Sequence, residues 1–281
     1  MMAKHSDFGH PSANRPIGGQ SYQTLLLEKD GNVARITLNR PKRLNAVDWN
    51  MYIELSMALE ECEYDDEARV VVITGTGRAF CAGEDMKSFF NEPILGKIPW
   101  EGRGDLRHMN EGLFRCLKAL LAHPKPVVAM VNGIAFGAGF YICLASDFRI
   151  ISEKAVFSIP LVLSGMCPPT VLLERYVGLT EATELLLLGK QIDAKEAQRL
   201  GLANQVVKPE LLEDAVETLT GELAKGATNA MRFIKRALHQ EMSARFEFEA
   251  ANCMFGAAVV EDIMEGARAF QEGREPEFKG K

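Results

Sequence analysis

The chain has 281 residues, 47% of them hydrophobic, which is long enough to bury a large core in one domain. Its formal net charge of −6 leaves no basic surface for nucleic acid, so we expect no nucleic-acid partner. The six cysteines and five histidines show no zinc-site spacing, and no apolar run reaches the ~20 residues that span a bilayer. We therefore expect a cytoplasmic protein with no metal and no membrane partner.

The first elements in chain order are predicted to be two strands, a helix and a buried strand. Residues 1–20 contain His, Ser, Asn, Pro and Gly and no apolar run, which indicates a disordered tail. Strands are predicted at Tyr22–Glu28 and Val33–Leu38, because the Asp-Gly pair between them favours a hairpin. Asp48 is a candidate N-cap for a helix, and Arg69–Thr74 is an apolar run typical of a strand buried on both faces.

The rest of the chain alternates between strands and helices and then becomes almost wholly helical from Pro209 onward. This alternation indicates parallel strands joined by right-handed connections. Helices are expected around Asp105–Leu121 and from about 137 to 145, and strands at Val127–Val131, Asp147–Ser152, Ala155–Ser158 and Gln205–Val207.

Two segments place glycine and alanine directly after a predicted buried strand. They are residues 75–86 (GTGRAFCAGEDM) and 131–141 (VNGIAFGAGFY). Small residues let a ligand oxygen approach the unpaired backbone N–H groups at a helix start. Each loop alone is better explained as a tight turn that permits close helix packing, whereas two such loops brought together on one sheet would form an oxyanion hole. Neither loop spells the G-x-G-x-x-G fingerprint in the first strand-to-helix turn, which disfavours a nicotinamide dehydrogenase.

Three ordered blocks closely resemble the crotonase (enoyl-CoA hydratase/isomerase) superfamily. They are residues 39–46 (NRPKRLNA), 74–86 and 125–139 (KPVVAMVNGIAFGAG), and the resemblance covers about residues 22–275. It implies an α/β fold, a crotonase-like spiral of ββα units, with a C-terminal helical region through which subunits form a homotrimer or homohexamer. On this basis we divide the chain into a disordered tail (1–20), a spiral core (21–208) and a helical trimerisation and CoA-capping region (209–281).

The resemblance also implies an acyl-CoA substrate whose enolate is held in a backbone oxyanion hole. Coenzyme A then enters only as part of the substrate, and no cofactor is bound permanently. The two donors would be the backbone N–H groups of Ala82 and Ala138, because amides aimed at the charged thioester oxygen supply a large catalytic term. Contacts to coenzyme A would fall on Arg43, Leu44, Gly83, Asp85, Met86 and Phe270.

The acid–base residues depart from the family pattern. Hydratases of this family use two glutamates, and the corresponding positions here are Tyr141 and Leu161. Leucine does not titrate and the pKa of tyrosine is about 10, so we do not expect a hydratase of the two-glutamate type. Glu84 lies in the variable slot of the Ala-Gly-x-Asp turn, where related methylmalonyl-CoA decarboxylases carry a histidine. It is our first candidate for proton transfer, the alternative being a solvent-facing glutamate.

Several other residues have both a functional and a structural interpretation. Tyr141 is a candidate to hydrogen-bond the substrate, the alternative being a core tyrosine. Asp85 is expected to cap the helix that follows it. His108 and Glu111 lie three residues apart on a predicted helix face that is expected to be solvated. The cysteines near the loops are expected to be small buried side chains, namely Cys81, Cys143 and Cys167.

These observations predict an enzyme that acts on acyl-CoA by double-bond isomerisation, decarboxylation, C–C bond hydrolysis or an atypical hydration. The alternative is a catalytically silent acyl-CoA-binding protein that has kept the oxyanion hole and lost the acids. Glu84 beside the predicted hole favours the enzyme.

Overall fold

The computed structural model describes residues 17–18, 20–91, 110–259 and 261–280. Within these residues, ten strands form two sheets. The larger sheet has the strand order β1-β2-β3-β5-β7-β10, in which β1 and β2 are antiparallel and the remaining neighbours are parallel. Its strands are β1 (Leu25–Asp30), β2 (Val33–Leu38), β3 (Val70–Gly75), β5 (Val127–Val131), β7 (Phe148–Ser152) and β10 (Gln205–Val207).

The hairpin predicted between the first two strands is confirmed. Asp30 pairs with Val33 across a two-residue turn in which Gly31 adopts a φ of 53°. The first strand begins at Leu25 rather than at Tyr22, because the amides of Gln23 and Thr24 donate to the Glu54 carboxylate instead of to a neighbouring strand. Side chains outside the sheet therefore set where this strand starts.

The smaller sheet consists of short strands in the order β4-β6-β8-β9. It was not predicted, apart from the strand at Ala155–Ser158. Strands β4, β6 and β8 are parallel, and β9 runs antiparallel to β8. They are β4 (Ala79–Cys81), β6 (Ile134–Phe136), β8 (Val156–Ser158) and β9 (Gln191–Asp193). The successive pairs β3–β4, β5–β6 and β7–β8 each place one strand in each sheet and are followed by helical segments, which is the spiral of ββα units that the resemblance implies.

Ten α-helices complete the described part of the chain. They are α1 (Trp49–Tyr64), α2 (Met86–Asn91), α3 (Arg115–Ala122), α4 (Ala138–Ala145), α5 (Val171–Leu188), α6 (Ala194–Arg199), α7 (Leu212–Lys225), α8 (Thr228–His239), α9 (Met242–Val259) and α10 (Glu261–Glu272). The predicted N-cap of α1 is confirmed, since Asp48 accepts the Met51 N–H at 2.9 Å. A π-helical turn, Asn110–Phe114, leads into α3, and residues 105–109 of the helix expected here lie outside the described residues.

The two faces of the larger sheet are buried against different helices. One face joins the main hydrophobic core, which includes side chains of α1, α3, α4 and α5. The other face packs against α7, where Leu212 and Val216 contact a cluster that includes Val70, Val72 and Val128. Burial on both faces explains why β3 is apolar at successive positions. The helix-rich C-terminal part was predicted correctly.

Candidate active site

The two glycine- and alanine-rich loops meet in the structure. Strands β4 and β6 pair in parallel, so their C-terminal ends lie at the same edge of the smaller sheet. The loops also approach closely: a Cβ atom on Gly139 would overlap the carbonyl oxygen of Cys81. Gly83 has a φ of 97°, and a Cβ there would lie 3.1 Å from the carbonyl oxygen of Phe136. The small residues therefore bring two loops together, as the sequence predicted.

The Ala82 amide is already used by the protein. Its N–H donates to the carbonyl oxygen of Leu44 at 3.0 Å, which ties the first loop to the segment after β2. An amide engaged in this bond is not available to a ligand oxygen, which argues against Ala82 as an oxyanion donor. The backbone N–H of Glu84, two residues later, and that of Ala138 instead both face the Glu84 carboxylate.

The Glu84 carboxylate lies where the two loops converge. Tyr52 donates its hydroxyl to Glu84 Oε1 at 3.0 Å. The backbone N–H groups of Glu84 itself and of Ala138 also face this carboxylate and act to lower its pKa. Glu84 Oε2 is 3.1 Å from the position that a Cβ on Gly137 would occupy. One hydroxyl donor and two facing backbone amides thus surround the carboxylate.

The environment of Glu84 raises its pKa. The side chain is half-buried, and its desolvation outweighs the Tyr52 hydrogen bond and the two amide contacts, which on their own would lower the pKa. Tyr52 is nearly buried, and desolvation followed by the nearby Glu84 charge raises its pKa well above the ordinary value of 10.0. The tyrosine therefore stays protonated and acts as a donor, while the carboxyl group is shifted toward the range in which a general acid or base works.

Tyr141 has a structural contact. Its side chain is fully buried, and its hydroxyl donates to the carbonyl oxygen of Pro169 at 2.6 Å. Burial, followed by the Glu84 charge, raises its pKa well above the ordinary value. The hydroxyl is thus satisfied within the protein and holds the loop before α5, and the geometry favours the core-tyrosine interpretation over a direct role with substrate.

The side chains of Leu161 and Glu84 both approach Gly137. The Leu161 Cδ1 atom is 3.7 Å from the position of a Cβ on Gly137, so it flanks the carboxylate on the side of the turn Pro160–Ser164. Helix α10 packs against this turn, since a Cβ on Gly266 would overlap the Ser164 carbonyl oxygen. An apolar side chain thus borders the Glu84 carboxylate.

The residues expected to contact coenzyme A are divided among three places. Leu44 and Gly83 lie beside the converging loops, and Leu44 has a left-handed φ of 52°. Arg43 is exposed at the end of the short helical turn before Leu44. Met86 is half-buried at the start of α2, and Phe270 is 46% exposed on α10. Their contact with coenzyme A remains a prediction.

Asp85 is buried and pairs with a cation of the first block. Its Oδ2 lies 2.9 Å from the Arg40 guanidinium, and Oδ1 accepts the Ser88 N–H at 3.4 Å, as expected for a residue that caps α2. Asn45, which sequence analysis did not single out, supports the same region. Its Nδ2 donates to the carbonyl oxygens of Thr76 and Ala79. The block 39–46 therefore stabilises the first loop through the hydrogen bonds of Asn45 and the ion pair between Arg40 and Asp85.

The remaining candidates do not join the site. Cys81 and Cys143 are fully buried, as predicted, and burial raises their pKa. Cys167 is half-buried rather than buried, and its Sγ lies 3.9 Å from that of Cys253, whose thiol lowers the pKa of Cys167 to about 7. His108 and the side chain of Glu111 lie outside the described residues.

Tyr52 and the Glu84 amide were missed by sequence analysis. Tyr52 lies on α1, and nothing in its local sequence pattern separates a core tyrosine from one that reaches a carboxylate. The positive φ expected of Gly83 was the available clue for the Glu84 amide, since a left-handed residue redirects the N–H that follows it.

Comparison with known proteins identifies the family. A sequence model described as Enoyl-CoA hydratase/isomerase matches residues 28–281. The chain belongs to this family. It is 34% identical over 264 residues to 1,2-epoxyphenylacetyl-CoA isomerase of Escherichia coli, covering 92% of this chain and 98% of that protein. It is 35% identical over 268 residues to a short-chain-enoyl-CoA hydratase of Clostridium acetobutylicum, with coverage of 92% and 98%.

Solved structures of the enoyl-CoA hydratase/isomerase family have the same fold. An enoyl-CoA hydratase from Mycobacterium avium subsp. paratuberculosis superimposes with a TM-score of 0.78 at 28% identity, covering 92% of this chain and 100% of that chain. An enoyl-CoA hydratase/isomerase from Xanthobacter autotrophicus gives a TM-score of 0.80 at 27% identity, with coverage of 90% and 94%. The crotonase-like α/β spiral expected from the sequence is confirmed.

Two properties of the described residues bear on partners. No helix among them combines the length and apolar character needed to cross a bilayer. Across the same residues, no group of three or more His, Cys, Asp and Glu side chains is arranged to hold a metal ion. The family acts on acyl-CoA substrates.

Proposed function

We propose that the protein is an acyl-CoA isomerase that stabilises a thioester enolate on the backbone N–H groups of Glu84 and Ala138 and transfers protons through the Glu84 carboxyl. The observation that carries this proposal is the convergence of one carboxylate and two amide donors at Gly137. Amides that are fixed before the reaction stabilise negative charge without reorganisation. The donor pair proposed from this geometry replaces the pair Ala82 and Ala138.

A single carboxyl group is sufficient for a double-bond shift. The Glu84 carboxylate takes a proton from the carbon next to the thioester, and the electron pair of that C–H bond moves into an enolate whose oxygen lies on the two amides. The protonated Glu84 then returns the proton to the γ carbon as the double bond moves. The raised pKa of Glu84 suits both steps, because a general acid–base group works best with a pKa near the working pH.

Hydration of the two-glutamate type is not proposed for this chain. In the structure, Leu161 flanks the Glu84 carboxylate, and the Tyr141 hydroxyl is engaged by Pro169. We therefore expect slow hydration of crotonyl-CoA. A kcat in the hundreds per second, far above the enzyme median of about 10 s⁻¹, would show that the acid–base pair has been misplaced.

Replacement of Glu84 tests the proposal directly. Turnover of a panel of unsaturated, branched and cyclic acyl-CoA esters is followed by mass spectrometry in the wild type and in Glu84→Gln. We expect the substitution to reduce kcat by about 10²–10⁴-fold, because it removes the proton-transfer group and keeps the side-chain size. Affinity for coenzyme A esters should change little, since the hole and the loops remain.

Isotope exchange provides a second measurement. The wild type should incorporate solvent deuterium at the α or γ carbon of a bound acyl-CoA, whereas Glu84→Gln should not. Equal exchange in both proteins would exclude Glu84 as the proton carrier. Tight acyl-CoA binding with neither turnover nor exchange would instead indicate the silent acyl-CoA-binding protein.

The assembly and the division of the chain are part of the same proposal. We propose that residues 21–208 form the catalytic spiral and that residues 209–281 form the helical region for trimerisation and CoA capping, as a homotrimer or a homohexamer. The wide exposure of apolar side chains on helices of this region supports association. The cytoplasmic location stays a prediction.

A further inference from the structure

Tyr52 is held rigidly beside the Glu84 carboxylate. It lies on α1, is 8% exposed, and reaches Glu84 Oε1 with its hydroxyl at 3.0 Å. Its ring is bounded by the π-helical turn, where a Cβ on Gly112 would lie 3.0 Å from Tyr52 Cδ2. Because the chain carries glycine at residue 112, the ring can pack directly against that backbone. The direction of the tyrosine hydroxyl is thereby fixed before any substrate binds.

The carboxylate lies against the amides that the thioester needs. The backbone N–H groups of Glu84 and Ala138 both face it, and this contact acts to lower the pKa of the carboxyl group. A thioester oxygen can accept these two N–H groups only after the carboxylate leaves them. Tyr52 lies on a different element, α1, and the thioester oxygen does not compete with the carboxylate for its hydroxyl. A thioester oxygen bound at the two amides would therefore leave the Tyr52 hydroxyl as the donor that holds Glu84.

We propose that Tyr52 is a positioning residue for Glu84, whose hydroxyl keeps the carboxylate in the site when a thioester oxygen displaces it from the two backbone amides. This inference rests on the proposed function. It adds a residue to the acid–base machinery and gives the thioester a second effect: the incoming oxygen releases the base that will act on the substrate.

The displacement has a direct consequence for the basicity of Glu84. Hydrogen bonds to a carboxylate lower its pKa, so loss of the two amide donors makes the carboxylate a stronger base when a thioester is bound. The other titratable groups that act on Glu84 and Tyr52 are Cys81, Cys116 and Tyr141. Burial raises the pKa of each of them, so they remain neutral near pH 7.

The experiment compares Tyr52→Phe with a matched control. Tyr52→Phe removes the hydroxyl and keeps the ring in its packing site. The control is Tyr22→Phe, which removes another tyrosine–glutamate hydrogen bond, the 2.8 Å bond from Tyr22 to Glu61. Titration of Glu84 is followed by infrared spectroscopy, with the Glu84 band assigned by subtracting the spectrum of Glu84→Gln. Butyryl-CoA and S-butyl-CoA serve as probes, because only the first has a carbonyl oxygen.

The two probes should behave differently. In the wild type, butyryl-CoA should raise the pKa of Glu84, whereas S-butyl-CoA should leave it unchanged. Tyr52→Phe should raise the pKa of Glu84 with either probe and lower kcat by about 10- to 100-fold, the range expected for a hydrogen bond to a charged group. KM should change far less than kcat, and Tyr22→Phe should match the wild type.

Several outcomes would overturn the inference. One is an identical Glu84 pKa in the wild type and Tyr52→Phe, and another is an equal response to both probes. The probe comparison uses the wild type alone, so an equal response to both probes would overturn the displacement from the amides, and with it the inference, even if Tyr52→Phe does not fold. Failure of the proposed function would be seen separately, as a lack of turnover of any ester. The infrared titration of Glu84 would still test the role of Tyr52 in that case. Conversely, turnover that depends on Glu84 and is unaffected in Tyr52→Phe would remove Tyr52 and keep the function.

Discussion

At the scale of single residues, the backbone conformation and the close contacts at residue 137 both require glycine. The Gly137 φ of 46° and ψ of −118° lie outside the regions that side-chain-bearing residues favour. A Cβ there would also approach Glu84 Oε2 at 3.1 Å and the Leu161 side chain at 3.7 Å. The glycine thus turns the chain so that the first amide of α4 points to the carboxylate, and it leaves room for that carboxylate beside the amide.

Removal of the Ala138 amide should abolish most of the catalytic rate. Ala138 is the first residue of α4, a position where proline is tolerated, so Ala138→Pro removes a donor with little damage to the helix. We expect kcat to fall by about 10²-fold or more, the usual cost of losing one oxyanion donor. Steady-state kinetics on the substrate found by the panel gives the value.

The control for this change is Ala138→Gly, which keeps the N–H and should have a mild effect. Circular dichroism establishes that each variant is folded. A folded Ala138→Pro protein that turns over at the wild-type rate would show that this amide does not hold the thioester oxygen.

At the scale of elements, the larger sheet was more predictable than the smaller one. Strand β3 is apolar along its length because both its faces are buried, and that pattern can be read directly from the sequence. Three strands of the smaller sheet were missed, and each has only three residues: Ala79–Cys81, Ile134–Phe136 and Gln191–Asp193. Three residues are too few to establish an alternating pattern, so only tertiary pairing defines these strands.

The candidate site was likewise predictable only in part. The two loops could be found because small residues after a buried strand form a local pattern. The contacts at the Glu84 carboxylate could not, since they join residues 32 positions apart in one case and come from separate helices. Such contacts depend on how the spiral stacks its units, and a single sequence carries no local signal for them.

His123 links two helices and should make stability depend on pH. It follows α3, and its ring bonds to the backbone of Leu59 on α1 and of Lys125. Burial lowers its pKa to about 4 from the ordinary 6.5. Below pH 6.5 the unfolded chain binds a proton that the folded chain does not, so this residue makes stability fall as the pH drops from about 6.5 to 4. The loss is at most about 3 kcal/mol.

The prediction is checked by urea unfolding at a fixed protein concentration between pH 7.5 and 4.5. His123→Asn should be less stable than the wild type at pH 7.5, because it loses part of the link between the helices. Its free energy of unfolding should then decline less steeply as the pH falls. Curves that run parallel for the two proteins would show that protonation of His123 does not contribute.

At the scale of the whole molecule, helix α8 has an unusual distribution of side chains. Lys235 is buried on it and forms an ion pair with Asp147 at 2.6 Å. Phe233, Ile234 and Leu238 are instead 66%, 58% and 58% exposed. A helix that buries a lysine and exposes three large apolar side chains is not adapted to solvent on its outer face.

The outer face of α8 is therefore expected to be covered by another subunit. Other exposed apolar side chains of the helical parts of the chain include Leu179, Leu187, Leu188 and Phe248. Light scattering coupled to gel filtration should give a mass of three or six times the 31.1 kDa chain. This result would support the predicted trimer or hexamer.

Charged substitutions on α8 test whether this face forms the contact. The double change Phe233→Glu and Leu238→Glu should lower the mass toward that of one chain, because association would bury unpaired charges. Leu26→Glu is the matched control, since Leu26 is 44% exposed on β1, away from the helical region, and should leave the mass unchanged. A wild-type protein that elutes as a single chain at micromolar concentration would contradict the prediction. An oligomer unaffected by the double change would place the contact on another face.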